Sequence, residues 1–218
     1  MNHNTVALFP SPIIQVIVEE DTSELLEYNN PYTISNQQID QYKAKGSDKR
    51  VLENYPKIKR ILLNTFTSVA EEILEYKKRD YAITTSWITL SNKGEGSQMH
   101  KHKNSFWSCV YYYQEEYPKG TGGILFDNPN TDLFDFSFQS TDIENNNSIN
   151  SLTCTFQPSP KLLLVFPSYL EHQVLTHNLE KSRNSLAFNV VPLGGWGDGD
   201  SSFDHSWVTP SLGAWKGI

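Results

Sequence analysis

The chain has 218 residues, two cysteines and a formal net charge of -7 at pH 7, with a sequence pI near 5.3. That length supports one substantial core without requiring a second, and the acidic balance argues against a nucleic-acid or anionic-membrane surface, each of which wants a concentrated basic face. The apolar runs are too short to span a bilayer and the start, M-N-H-N-T-V-A-L-F-P, lacks a basic, then apolar, leader, so a cytoplasmic location is expected, with no membrane and no nucleic-acid partner.

Residues 6–18, V-A-L-F-P-S-P-I-I-Q-V-I-V, read as an extended segment broken by two prolines, which suits an edge strand. Asp21-Thr-Ser-Glu24 is a capping signal for a short helix, and Ser35 to Lys45 can hold another. From Pro56 to Arg79 the residues Ile58, Ile61, Leu62, Phe66, Val69 and Ile73 recur at helical spacing, predicting a long helix laid on a sheet. Beyond Tyr81 the texture changes to short runs rich in Thr, Phe, Tyr, Val and Leu, separated by turn residues. Strands are expected near 81–91, 106–114, 123–127, 132–139, 151–156, 161–166, 170–177 and 183–191. With no helices between them, such strands form an antiparallel double sheet or jelly roll. Cys109 and Cys154 fall inside strands and read as small buried hydrophobes. Residues 140–150 form a polar loop, and 194–218 a Gly-rich tail with three tryptophans. The organisation is a single domain over 1–218: helical support over 1–80, a jelly-roll core over 81–192, and the tail over 193–218.

Within that core, His100 and His102 sit two residues apart just before the run Phe106 to Tyr113. In extended backbone they share a face and can address one metal ion, although two solvated loop histidines are the plain alternative. His172 opens a late strand, and Arg183 begins the next, where Arg183, Ser185, Ala187 and Asn189 share one face and Leu186, Phe188 and Val190 the other. An inward Arg needs an anion, either a ligand carboxylate or a structural partner such as Glu171 or Asp127. His177 and His205 read as surface or tail histidines.

Together these phrases resemble a known family, the 2-oxoglutarate and Fe(II) dependent oxygenases that carry H-x-H-x-N-x-x-x-S-x-V-Y-Y, an F-x-x-P turn, F-P-S-x-L-x-H and R-x-S-x-x-F-N. Here these are His100 to Tyr112, Phe126-Asp-Asn-Pro129, Phe166 to His172 and Arg183 to Asn189; L-F-P-S-P near the start and S-W-I-T-L-S-N-K-G at 86–94 are similar too. A more distant resemblance is to prolyl hydroxylases. The resemblance implies a mainly β fold with N-terminal helices: a double-stranded β-helix, cupin-like, with the long helix packed on it. It also implies Fe(II) held by His100, His102 and His172, and 2-oxoglutarate held by Arg183 with Ser185, Tyr112 and Asn189. O2 would be the second co-substrate. The usual third ligand is a carboxylate, where this chain has His102; Asp127 is the reserve candidate. The implied reaction oxidises, most simply hydroxylates, a small-molecule or peptide prime substrate with release of succinate and CO2. Trp87, Asn104, Trp107, Trp196, Trp207 and Trp215 are candidates to meet that substrate, against their ordinary role as core residues. No oligomeric state is set by the sequence; a homodimer is compatible with it.

Two other functions remain open at this point. A cupin-type metal-dependent dioxygenase or isomerase would use the histidines without Arg183 and Ser185, and a non-enzymatic β-sandwich binding or assembly module would need neither metal nor His172.

Overall fold

The computed structural model describes residues 10–29, 33–34, 44–130, 143–147 and 149–204. In chain order its strands are β1 (Ile14–Ile17), β2 (Thr33–Ile34) and β3 (Lys45–Gly46). After the helix α1 (Pro56–Ser68) come β4 (Tyr81–Ser91), β5 (Trp107–Tyr111), β6 (Ile124–Asp127), β7 (Thr153–Phe156), β8 (Leu162–Pro167), β9 (His172–Val174), β10 (Arg183–Pro192), β11 (Gly195–Trp196) and β12 (Phe203–Asp204). Seven strands form one sheet in the order β1-β8-β5-β10-β4-β3-β2, every pair antiparallel, and three form a smaller antiparallel sheet, β7-β6-β9. The segment around β1 is an edge strand, as its prolines predict.

Strand alternation divides the large sheet between two cores. Cys109 and Tyr111 of β5, Leu163 and Val165 of β8, and Leu186, Phe188 and Val190 of β10 face α1, meeting Ile58, Leu62 and Phe66. The intervening residues Tyr112, Leu162, Leu164 and Phe166 face the small sheet and pack on Ile124 and Phe126. The two sheets thus lie face to face as a jelly roll with the helix on the outside. β8 is buried at all six positions because both of its faces are covered.

α1 begins where expected, with Pro56 in its first turn, but it is shorter than the predicted span to Arg79. Its last turn widens into a π-turn over Val69–Ile73, which keeps Val69 and Ala70 buried while Ile73 is exposed. Glu75 then takes a left-handed φ of 53°, and the Tyr76 amide donates back to the Ala70 carbonyl at 2.9 Å. That closure is ordinarily made by glycine, so E-Y-K-K-R carries no visible stop signal. The early helical signal at Asp21 gives only a 3-10 turn, Ser23–Glu27, opened by the Asp21 carboxylate accepting from the Ser23 amide at 3.0 Å. Of the expected helix Ser35 to Lys45, residues 35–43 lie outside the described residues and Lys45 belongs to β3; the expected strand 132–139 also lies outside them. Cys109 is buried, and burial pushes its thiol well above the usual range. Cys154 is exposed, because β7 is the outer strand of the small sheet. Among the described residues no helix is long and apolar enough to cross a membrane.

Candidate metal and anion site

His172 starts β9, and an antiparallel bridge sets His100 directly opposite it: the His100 amide donates to the His172 carbonyl at 2.9 Å and the reverse bond is 2.8 Å. The His102 amide donates to the Ser168 carbonyl at 3.0 Å, which carries the third imidazole to the same place. Ring centroids lie 4.4 Å (His100–His172), 5.2 Å (His102–His172) and 5.4 Å (His100–His102) apart, and one ligand nitrogen from each residue falls within 4.8 Å of the other two.

The proton positions follow from the partners. Nδ1 of His100 donates to the Gln98 carbonyl and Nδ1 of His172 to the Leu170 carbonyl, both at 2.8 Å, because a carbonyl can only accept. Nδ1 of His102 donates to Asn189 Oδ1 at 2.7 Å; Asn189 is oriented by its own Nδ2 donating to Thr85 Oγ1 and by the Ser108 hydroxyl donating to Oδ1, both at 2.9 Å. In the neutral ring each Nε2 then keeps its lone pair. Three unprotonated nitrogens on one spot, each with its opposite nitrogen anchored, is the donor set a divalent transition metal takes. Burial, aided by the positive field that a charged His100 would add, draws the His172 pKa down to about 3. Burial likewise lowers that of His102. His172 and His102 are thus neutral at physiological pH.

No carboxylate joins the cluster among the described residues. Phe126 pairs with His172 and its ring meets the imidazole at 5.8 Å, so the next residue, Asp127, projects from the other face of β6. The reserve candidate is therefore not placed at the triad.

Arg183 is buried on the inner face of β10. Its Nη1 donates to the Gly122 and Leu175 carbonyls, and its Nη2 to Ser91 Oγ at 2.8 Å. No carboxylate among the described residues pairs with it, and Glu171, one of its two possible structural partners, is held by Lys101 at 2.9 Å. Burial lowers its pKa, opposed by the nearby Tyr112 and Tyr117 hydroxyls. A buried guanidinium with no counter-charge is costly unless an anion arrives. Tyr112 and Ser185 are buried beside it, and burial raises the Tyr112 phenol to about 12, so it stays a neutral donor.

Asn189, expected beside an anion, instead orients His102. Trp107 is core, Trp87 lies with its ring 5.6 Å from that of His102, and Trp196 packs on Phe106 at 5.6 Å. Asn104 is exposed; Trp207, Trp215 and His205 lie outside the described residues. His177 is not a surface residue: it is 4% exposed and its Nε2 donates to the carbonyl of Ser91, the residue that receives Arg183. Sequence reasoning also passed over Gly122, where a Cβ would come 2.1 Å from the Leu175 carbonyl oxygen; only glycine lets the two backbones meet around Arg183.

Residues 85–189 match a family model described as "Putative 2OG-Fe(II) oxygenase". Among solved structures, a 2OG-Fe(II) oxygenase family oxidoreductase from Burkholderia pseudomallei is similar at 13% identity and TM-score 0.54, covering 82% of this chain and 84% of that one. A Pseudomonas putida prolyl-4-hydroxylase is similar at 14% identity and TM-score 0.50, with 82% and 92% covered. SnoN, a non-heme alpha ketoglutarate dependent epimerase from nogalamycin biosynthesis, is similar at 9% identity and TM-score 0.60, with 88% and 83% covered, and has also been solved with Fe3+ and alpha ketoglutarate. No curated protein sequence matches the chain.

Proposed function

We propose that the chain, whose residues 85–189 match the 2OG-Fe(II) oxygenase family model, oxidises, most simply hydroxylates, a prime substrate over the three-histidine site. The observation that carries the reading is the pairing of two unmet demands inside one jelly roll: three lone pairs aimed at one point and a buried guanidinium without an anion. Fe(II) answers the first and the far carboxylate of 2-oxoglutarate the second. A cupin-type enzyme would leave Arg183 unexplained, and a binding module would leave the histidines so.

His100, His102 and His172 would hold the iron through Nε2, and Arg183 would take the carboxylate with Ser185 and Tyr112 as donors. The chemistry a bound centre supplies is oxidation by O2 coupled to decarboxylation of 2-oxoglutarate: one oxygen atom ends in succinate, the other in the product hydroxyl, and CO2 leaves. The protein's own share is orientation. Gln98, Leu170 and Asn189 fix the imidazoles, the Gly122, Leu175 and Ser91 oxygens aim the guanidinium, and the apolar residues around Phe126 and Phe166 keep water from the inner side.

Anaerobic titration with Fe(II) and then 2-oxoglutarate tests this. A weak visible charge-transfer band should grow only when both are present. Arg183→Lys should keep iron affinity but weaken 2-oxoglutarate by roughly tenfold or more, since one ammonium cannot replace the fork. Iron binding without the band would point to the cupin-type chemistry, and no iron binding would sink both.

A further inference from the structure

The segment before α1 runs along β4 and is tied to it: Lys45 and Gly46 pair with Leu90 and Thr89, the Ser47 amide donates to the Ile88 carbonyl, and the Ser86 amide donates to the Lys49 carbonyl, both at 2.9 Å. This fixes Lys49 beside Trp87. Its Nζ sits over the Trp87 ring at 4.9 Å, and the same ring lies 5.6 Å from the imidazole of His102. Trp87 pairs with Ala187, which shares the inner face of β10 with Arg183 and Asn189, so the exposed lysine stands over the indole at the mouth of the metal site.

The charges around Lys49 are already committed elsewhere. The Asp48 carboxylate caps the Arg50 amide at 2.7 Å, Arg50 pairs with Glu53, and Glu171 at the other side of the mouth pairs with Lys101. Among the described residues no carboxylate pairs with Lys49, nor with Lys103, the exposed residue that follows His102. Partial burial of the ammonium lowers the Lys49 pKa, a further sign that nothing compensates it. In a chain of net charge -7 the metal mouth therefore carries an ammonium, Lys49, that no carboxylate among the described residues pairs, set over an indole.

Resting on the oxygenase reading above, we propose that Lys49 and Trp87 set the class of prime substrate: a small molecule bearing a carboxylate, which pairs with the Lys49 ammonium while its carbon chain lies along Trp87 toward the metal. Arg183 and Lys49 then divide the two anions, the first taking the co-substrate in the barrel and the second the prime substrate at its mouth. A partly desolvated ammonium holds a carboxylate more strongly than a fully hydrated one does.

The test uses the full chain loaded with Zn(II), which cannot turn over, and saturated with 2-oxoglutarate so that Arg183 is filled. Calorimetry then compares linear monocarboxylates of about three to eight carbons, spanning the short reach from Lys49 past Trp87 to the metal, with their neutral amides. Carboxylates should bind the wild type about tenfold more tightly than the matching amides, and Lys49→Met, which keeps the apolar stem, should erase the difference while 2-oxoglutarate binds as before. Equal binding of acids and amides, no binding by any of the acids, or an unchanged preference in Lys49→Met would overturn the proposal. If 2-oxoglutarate itself fails to bind the zinc-loaded wild type, the oxygenase reading falls and takes the proposal with it.

Discussion

Asn189 lies outside the cluster of three imidazoles, yet it decides what His102 can do. Its Oδ1 accepts from His102 Nδ1 and thereby leaves Nε2 bare; a side chain that cannot accept would free the ring to turn or to protonate the wrong nitrogen. Asn189→Leu should weaken Fe(II) or Zn(II) binding by about 10- to 100-fold in a direct titration, with the jelly roll intact by circular dichroism. The buried histidines also tie folding to pH. His172 has a folded pKa near 3 against about 6.5 when unfolded, so the folded state binds fewer protons in that window. Its contribution is present in full above the unfolded value and is lost as pH falls toward 3, at about 1.4 kcal/mol per pH unit between the two pKa values. Urea denaturation of the metal-free chain should show stability dropping from pH 6.5 to 4, and His172→Asn should flatten that slope.

At the scale of elements, β10 is the working strand: its outer residues anchor the sheet to α1, and its inner ones carry the buried Arg183 at one end and the Asn189 that holds His102 at the other. Gly122 lets the chain before β6 close on Leu175, just past β9, around the Arg183 side chain of that strand. Gly122→Ala would drive a methyl into the Leu175 carbonyl, costing about 1–3 kcal/mol and displacing the oxygen that holds Arg183. 2-Oxoglutarate affinity should fall while metal affinity changes little; an equal loss of both would show that the two ends are not separable. This division was half legible beforehand. The spans of β4, β5, β8 and β10 were legible from their β-rich runs between turn residues, and period-two alternation gave β10 its two faces. The end of α1 was not legible, because a left-handed glutamate does the work of a glycine. Nor was the burial of His177, which follows from its bond to Ser91, a contact across some 86 residues of sequence that no local pattern encodes. The triad's meeting depended on the His100–His172 bridge, which i to i+2 spacing explains for His100 and His102 alone.

For the whole molecule, two cores share one sheet but only one of them touches the chemistry. Phe66 is fully buried between α1 and the outer face, packed edge-on to Tyr81 at 5.0 Å, and far from any imidazole contact. Phe166 is as buried, but lies 5.0 Å from the His172 ring and 4.8 Å from Phe126. Each truncation to alanine should cost about 3–5 kcal/mol of unfolding free energy. Phe66→Ala should leave metal affinity near its original value in the folded protein, whereas Phe166→Ala should also loosen the metal by a measurable factor. The paired amide bonds between His100 and His172 add something of a different kind. They set the bite of two candidate ligands before any ion arrives, and the third candidate donor is also an imidazole, so among the described residues the shell would be all nitrogen. Imidazole nitrogens accept zinc, copper, nickel and iron alike, and raw affinity rises from iron toward copper. Such a rigid pincer has little means of refusing a competitor, so the ion found in freshly purified protein will mirror the metal supply of the cell that made it.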